Sequence, residues 1–238
     1  MKPDSIFYTS VIDAYAKSDD VHAAERSVEL LNEMITLYEN GDEGTKPNTK
    51  TFCSVITALG RSKMYGAADT AQKLLDDCER MYAFGNEDVA PTTILFNSCI
   101  DAWAKSSFAF KAQRAQSLLH RMEEEFQEGN VMYRPDLITY NSVINAAANS
   151  YGDSRLKKQV FRIALGSFQK ILNSSHIHQT SRTYFLFLKA VRKLVTPGSE
   201  RDAIVKKGKP VFFLFLLSSH LRLIDSNSPF NFSDAILH

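Results

Sequence analysis

The chain has 238 residues, 44% of them hydrophobic, with 28 lysines and arginines against 27 aspartates and glutamates. That suffices for a sizeable core, while a net charge of +1 excludes a uniformly basic surface, so any polyanion-binding residues must be gathered on one face. Three cysteines, Cys53, Cys78 and Cys99, lack CxxC spacing, which argues against a disulfide framework or zinc site and leaves them as small apolar residues.

In chain order one phrase keeps returning. It reads KPDSIFYTSVIDAYAK from Lys2, KPNTKTFCSVITALGR from Lys46, APTTILFNSCIDAWAK from Ala90 and RPDLITYNSVINAAAN from Arg134. The prolines Pro3, Pro47, Pro91 and Pro135 are 44 residues apart. A fifth copy, QTSRTYFLFLKAVRK from Gln179, keeps the beat without the proline. A fixed period of this length is the signature of a solenoid, in which each unit touches only its neighbours.

Each proline opens a helix, because its missing N–H would have no partner there. Asp4, Asn48, Thr92, Asp136 and Thr180 stand at the cap, where a side-chain oxygen can accept an orphan backbone N–H. First helices are therefore expected over about 5–17, 49–61, 93–105, 137–149 and 181–194. An aromatic follows five residues after the proline position, at Tyr8, Phe52, Phe96, Tyr140 and Tyr184, and an aliphatic four later, at Ile12, Ile56, Ile100, Ile144 and Leu188. These form a buried stripe at helical spacing. Ala14, Ala58, Ala102, Ala146 and Ala190 mark a close approach of neighbouring helices.

Second helices are expected over about 21–39, 65–83, 111–127 and 156–173, with core pairs Leu30–Leu31, Leu74–Leu75 and Leu118–Leu119, then Met34, Cys78 and Met122. The fourth copy resumes late, at Phe168, Ile171 and Leu172, implying an insertion near 151–162. Turns of Gly, Asn and acidic residues separate the units. The repeats fill about 1–44, 45–88, 89–132, 133–176 and, partially, 177–194, leaving 195–238 as a linker and degenerate C-terminal segment. That segment holds the longest apolar run, Val211 to Leu217, seven residues against the roughly 20 a membrane span needs. No secretory signal or polar first unit opens the chain, which is the expectation for a fragment of a longer repeat protein or a reading that starts late.

No GxSxG, phosphate loop or GxGxxG occurs, and no cofactor is expected. His176 and His178 form an HxH pair with no third metal ligand at motif spacing, and Glu123, Glu124 and Glu125 read as a solvated helix face. The sixth, tenth and fourteenth residues after the proline lie four apart on one stripe: Thr9–Asp13–Lys17, Cys53–Thr57–Arg61, Asn97–Asp101–Lys105, Asn141–Asn145–Asn149 and Phe185–Lys189–Lys193. The first four are polar. Such a stripe fits a solvated face, and it also fits single-stranded nucleic acid, with polar groups for base edges and cations for phosphates.

The phrase RPDLITYNSVINA at Arg134 to Ala146, with KPDSIFYTSVIDAYAK at Lys2 to Lys17, resembles the pentatricopeptide repeat family, as do AQKLLDDC at Ala71 to Cys78 and AQSLLHRM at Ala115 to Met122. The resemblance covers about 1–194, and the 44-residue unit is longer than the family's usual one. Tetratricopeptide repeats would show a Trp, Leu-Gly and Tyr pattern that is absent, and HEAT-type repeats would not bring the Pro-Asp junction. The resemblance implies an all-α, right-handed α-solenoid, a superhelix of about four to five helix-turn-helix repeats, that binds single-stranded RNA along its concave side without catalysis. The clustered aspartates of protein-only ribonuclease P, which joins such repeats to a nuclease domain, are missing.

The resemblance also assigns roles. Base-reading pairs fall on Thr9 with Asn48, Cys53 with Thr92, Asn97 with Asp136 and Asn141 with Thr180. Ile6, Ile94 and Ile138 match the position that clamps a base, whereas Lys50 and Arg182 break it and Phe185 breaks the reader position, so repeats two and five depart from the pattern. Lys17, Arg61, Lys105 and Lys193 are the phosphate-contacting candidates. In the family, Thr with Asn resembles an adenine reader, Asn with Asp a uracil reader, and Asn with Thr leans to pyrimidines, giving an expected 5′-A-N-U-Y-3′ core. The family's usual compartments, mitochondrion and plastid, are implied in the same way. The other reading of the same groove is a scaffold for protein partners.

Overall fold

In the computed structural model, residues 2–62, 64–195 and 198 are described; the linker and degenerate C-terminal segment expected over 195–238 lies outside them except for residues 195 and 198. The described residues are helical with no strand. Five first helices, α1 (Ser5–Lys17), α3 (Thr49–Arg61), α5 (Thr93–Lys105), α7 (Leu137–Ala148) and α9 (Ser181–Leu194), alternate with four second helices, α2 (Ala23–Glu39), α4 (Ala67–Ala83), α6 (Lys111–Gln127) and α8 (Ser154–Asn173). Single turns of 3-10 helix at Glu43–Thr45, Glu87–Val89 and Val131–Tyr133 end the first three second-helix loops, where the sequence suggested plain turns. The fourth second helix, expected over about 156–173, starts two residues earlier, where Asp153 caps α8 by accepting from the Leu156 N–H at 2.7 Å.

The entry of each first helix follows from its cap. Asp4, Asn48 and Asp136 accept the backbone N–H three residues on at 2.8, 3.0 and 2.9 Å. At Asp136 and Thr180 the bond is reciprocal, forming capping boxes with Thr139 and Thr183. The exits repeat as well: Ser18, Ser62 and Ser106 each fold a hydroxyl back onto a carbonyl of the last turn, at 2.8–2.9 Å.

The core is one continuous cluster. Phe52, Phe96, Ile12, Ile56, Ile100 and Ile144 are fully buried, as are Leu31, Met34, Leu75, Cys78 and Met122 from the second helices. Burial pushes the Cys78 thiol up to about 12 and Cys53 to about 11, so neither is poised as a nucleophile.

Packing runs in two unequal rows. Each first helix packs on the next, α1 on α3, α3 on α5, α5 on α7 and α7 on α9, while successive second helices meet substantially only at α6 and α8. The closely spaced row must be the inner one of a curved stack, so the first helices line the concave side. Small residues set that spacing. Ala58, Ala102, Ala146 and Ala190 are buried at the junction with the preceding first helix, whereas Ala14, which has no such neighbour among the described residues, is exposed. A Cβ added at Gly60 would stand 3.2 Å from both Cα and Cβ of Ala102, so two helix backbones meet there.

That contact predicts an asymmetry. Gly60→Ala relieves a helix of glycine, worth about 1 kcal/mol, and needs only a shift of a few tenths of an ångström. Gly60→Val must separate α3 from α5 and should cost about 1–3 kcal/mol in urea unfolding. Equal midpoints for the two variants would show that the helices do not touch as described.

Candidate nucleic-acid interface

The open face of α1 and α5 runs through the third, seventh, tenth and fourteenth positions after the proline; in α3 the seventh position, Ser54, is buried. In α5 these are Ile94, Ser98, Asp101 and Lys105; in α1, Ile6, Ser10, Asp13 and Lys17. The sixth position is off it in repeats one, three and four, while in the fifth, where no described first helix follows, it is open. Thr9, Asn97 and Asn141 are 5–8% exposed and sit in the crevices between successive first helices. The stripe drawn from four-residue spacing is therefore turned by about one position. The reason is that the sixth residue reaches toward the cap of the next first helix.

The caps show what it reaches. Asn97 donates from Nδ2 to Asp136 Oδ1 at 3.1 Å. Asp136 Oδ1 also accepts from the Thr139 N–H and hydroxyl, at 2.9 and 3.0 Å, so this oxygen is saturated while Oδ2 makes no hydrogen bond. Thr9 is joined to Asn48 through Thr51: the two threonine hydroxyls are 2.8 Å apart, and Thr51 Oγ1 donates to Asn48 Oδ1 at 3.1 Å. The other two pairs are not bonded to each other. Cys53 is half-buried, Thr92 makes no side-chain cap, and Thr180 bonds Thr183 rather than Asn141. Leu95 replaces the helix-entry threonine in the repeat of Thr92, which removes the bridge.

Two acceptors in these crevices are left without a partner. The Oδ1 atoms of Asn97 and Asn141 are buried and make no hydrogen bond, one repeat apart. A buried polar atom without a partner costs about 1–3 kcal/mol and calls for an explanation. Flanking the crevices, Ile6, Ile94 and Ile138 are 76, 69 and 61% exposed. Phe185 in the fifth repeat is 65% exposed. The groove thus offers apolar surfaces beside recessed amide and carboxylate groups, the combination that stacks a base and reads its edge.

The cations on the rim are unequally free. Lys17 pairs with Asp13, and Lys105 with Asp101, each at 2.6 Å across one helical turn. The Lys17 hydrogen bond holds the Asp13 carboxyl below the usual aspartate value against the opposing effect of burial. Arg61 donates to the Ala16 carbonyl at 2.8 Å and reaches Asp19 at 3.5 Å. Lys193 has no ion pair among the described residues.

Sequence reasoning passed over two ladders. The hydroxyls of Ser5, Thr49 and Thr93 donate to the carbonyls of Lys46, Ala90 and Arg134, each 2.9 Å away and just before the next cap. These clamps tie the entry of one first helix to the segment just before the next cap, and the hydroxyl recurring on the 44-residue beat was the available signal. Ser10, Ser98 and Ser142 place a further hydroxyl on or beside the open face of three repeats, at the seventh position, whereas Ser54 is buried and donates to Asp13 of α1 at 3.5 Å. His176 and His178 are exposed, and the described residues hold no group of three metal-ligating side chains. None of their helices is long and apolar enough to cross a membrane.

Compared with known families, residues 6–37 match the PPR repeat, the pentatricopeptide repeat, a unit generally associated with RNA binding. The match spans α1 and most of α2, the copy that sets the phrase for the rest of the chain. A search of curated proteins found no match.

Proposed function

We propose that this chain, whose residues 6–37 match the pentatricopeptide repeat, binds single-stranded RNA along its concave row of first helices and reads it one base per repeat. The observation that carries the proposal is the Asn97–Asp136 pair. A recessed amide is bonded to a carboxylate that keeps one oxygen free, with an exposed isoleucine beside it. The free carboxylate oxygen suits a base edge that presents an N–H, as uracil does at N3. The Thr9–Asn48 pair ends instead in an amide whose oxygen is taken by Thr51, so its Nδ2 is the group presented, a donor that suits the ring-nitrogen acceptor adenine carries at N1.

On this reading Thr9 with Asn48, Cys53 with Thr92, Asn97 with Asp136 and Asn141 with Thr180 read a 5′-A-N-U-Y-3′ core. Ile6, Ile94 and Ile138 hold bases apart, and of the four rim cations Lys193, without an ion pair among the described residues, and Arg61 meet the backbone, whereas Lys17 and Lys105 are already neutralised by Asp13 and Asp101. The protein would guide, mask or present a transcript in a mitochondrion or plastid, without catalysis of its own.

Fluorescence anisotropy against matched and scrambled RNA, each across a salt series, tests the proposal. Tighter binding of the matched strand and affinity that falls with salt are expected. Equal affinity for both strands would remove base reading. A flat salt response would remove phosphate contact and favour a protein partner in the same groove.

A further inference from the structure

The fourteenth position carries Lys17, Arg61, Lys105, Asn149 and Lys193. A cation in the last turn of a helix is favoured by the macrodipole alone, so the position by itself marks no ligand. What changes along the stack is the counter-charge. In α1 and α5 an aspartate one turn back neutralises the lysine. In α9 the residue one turn back is Lys189, which doubles the charge.

Two more lysines lie close by. Lys111, at the start of α6, is only 5% exposed, donates to the Ser106 carbonyl, and holds its ammonium 6.0 Å from the centre of the Tyr151 ring. Lys157 stands in the first turns of α8. Lys189 donates to the amide oxygen of Asn149 at 2.7 Å. All these partners are neutral, and no carboxylate among the described residues forms an ion pair with any of the four lysines. The groups act on one another. Burial first, then the charges of Lys189 and Lys157, hold Lys193 below the usual lysine value; burial and then Lys193 do the same to Lys111. Gathering uncompensated cations, one of them nearly buried, works against the folded state unless an anion joins them.

We infer that Lys111, Lys157, Lys189 and Lys193 form the electrostatic anchor of the groove, a site for phosphate groups of the bound strand, and that Lys17 and Lys105 add little to it. The inference rests on the RNA-binding reading and gives the groove a polarity: recognition of bases over α1 to α7, retention of the backbone at α9. Lys189 and Lys193 are open enough to meet phosphate oxygens, while Lys111 acts through its field from beneath.

Salt series on the whole chain decide it, comparing K189Q/K193Q with K17Q/K105Q on the same labelled single-stranded RNA. Each phosphate neutralised on a single strand contributes about 0.7 to the slope of log affinity against log salt, so K189Q/K193Q should flatten the slope by about 1.4. K17Q/K105Q should change it by less than about 0.4, and K189R/K193R should keep the wild-type slope. If the double glutamine variant fails a thermal-melt check for folding, K193Q alone carries the comparison with half the effect. An unchanged slope in K189Q/K193Q, or an equal loss in K17Q/K105Q, overturns the anchor. Should the wild type bind no RNA, the proposed function falls and inorganic tripolyphosphate decides the anchor by calorimetry. Binding that K189Q/K193Q abolishes upholds it; no binding to the wild type overturns it.

Discussion

Phe96→Ala should lower the stability of the stack by about 3–5 kcal/mol, the usual range for removing a fully buried phenylalanine. Phe96 is 0% exposed in the middle first helix. Its ring centre lies 5.2 Å from that of Tyr133, and the Arg121 guanidinium sits 5.1 Å above it. Arg121 in turn pairs with Asp76 at 3.0 Å and Glu79 at 3.3 Å, so the ring supports a charged group shared by α4 and α6. Truncation would leave a cavity under an arginine whose Nε and Nη2 are already without partners. Because each unit contacts only its neighbours, the loss falls on both interfaces of α5. Urea unfolding should show a lower midpoint, or two transitions as the halves separate. Phe84→Ala is the control: Phe84 is 90% exposed, and its removal should change stability by less than about 0.5 kcal/mol. Similar midpoints for the two variants would contradict the packing described.

The double variant N97T/D136N should move the third repeat's preference from uracil to adenine, by roughly 10- to 100-fold in relative affinity, the scale of a single well-made base contact. The change copies the Thr9–Asn48 pair into the place of Asn97–Asp136. It is a fair test because Asp136 has two duties. Its Oδ1 caps α7 and completes the reciprocal bond with Thr139. Asparagine is as good an N-cap as aspartate, so the helix entry survives while the acceptor-only edge is lost. Asp136→Ala would confound the two, since it removes a cap worth about 1 kcal/mol together with the reader. Anisotropy with strands differing only at the third base measures the swap. An unchanged preference, with the variant folded, would mean that this pair does not read the base.

The helices were legible because every cue fell on one beat. The prolines, the cap residues, the aromatic and the isoleucine four on all recur at 44 residues, and α1, α3 and α5 keep the expected bounds. The site was legible only as residue types. Spacing placed Asn97 and Lys105 on one line, but helical spacing of four drifts across a face, and tertiary contact decided the rest. Asn97 turned into a crevice because Asp136, 39 residues on, offered an acceptor. Lys105 was spoken for because Asp101 lay one turn back at 2.6 Å. The lysines around Lys193 come from three helices, and no local pattern in the sequence joins Lys111 to Lys193. The clamps of Ser5, Thr49 and Thr93 were hidden for a simpler reason: a hydroxyl at a helix entry reads as a cap, and here the true acceptors are carbonyls 39–41 residues away.

The two rows of helices also set how the protein deforms. When such a stack bends, the stiff layer keeps its length and the compliant layer takes up the strain by opening or shutting. The first-helix row, tightly packed and clamped by hydroxyls, behaves as the inextensible layer. The second helices approach less closely, joined at α6 and α8 and through the Arg121 pairs between α4 and α6, so the outer row is the one that can open or close. The molecule is therefore a leaf spring whose curvature is soft and whose inner contour length is fixed. A ligand lying on the inner layer keeps a constant spacing from one unit to the next while the superhelix tightens or relaxes around it.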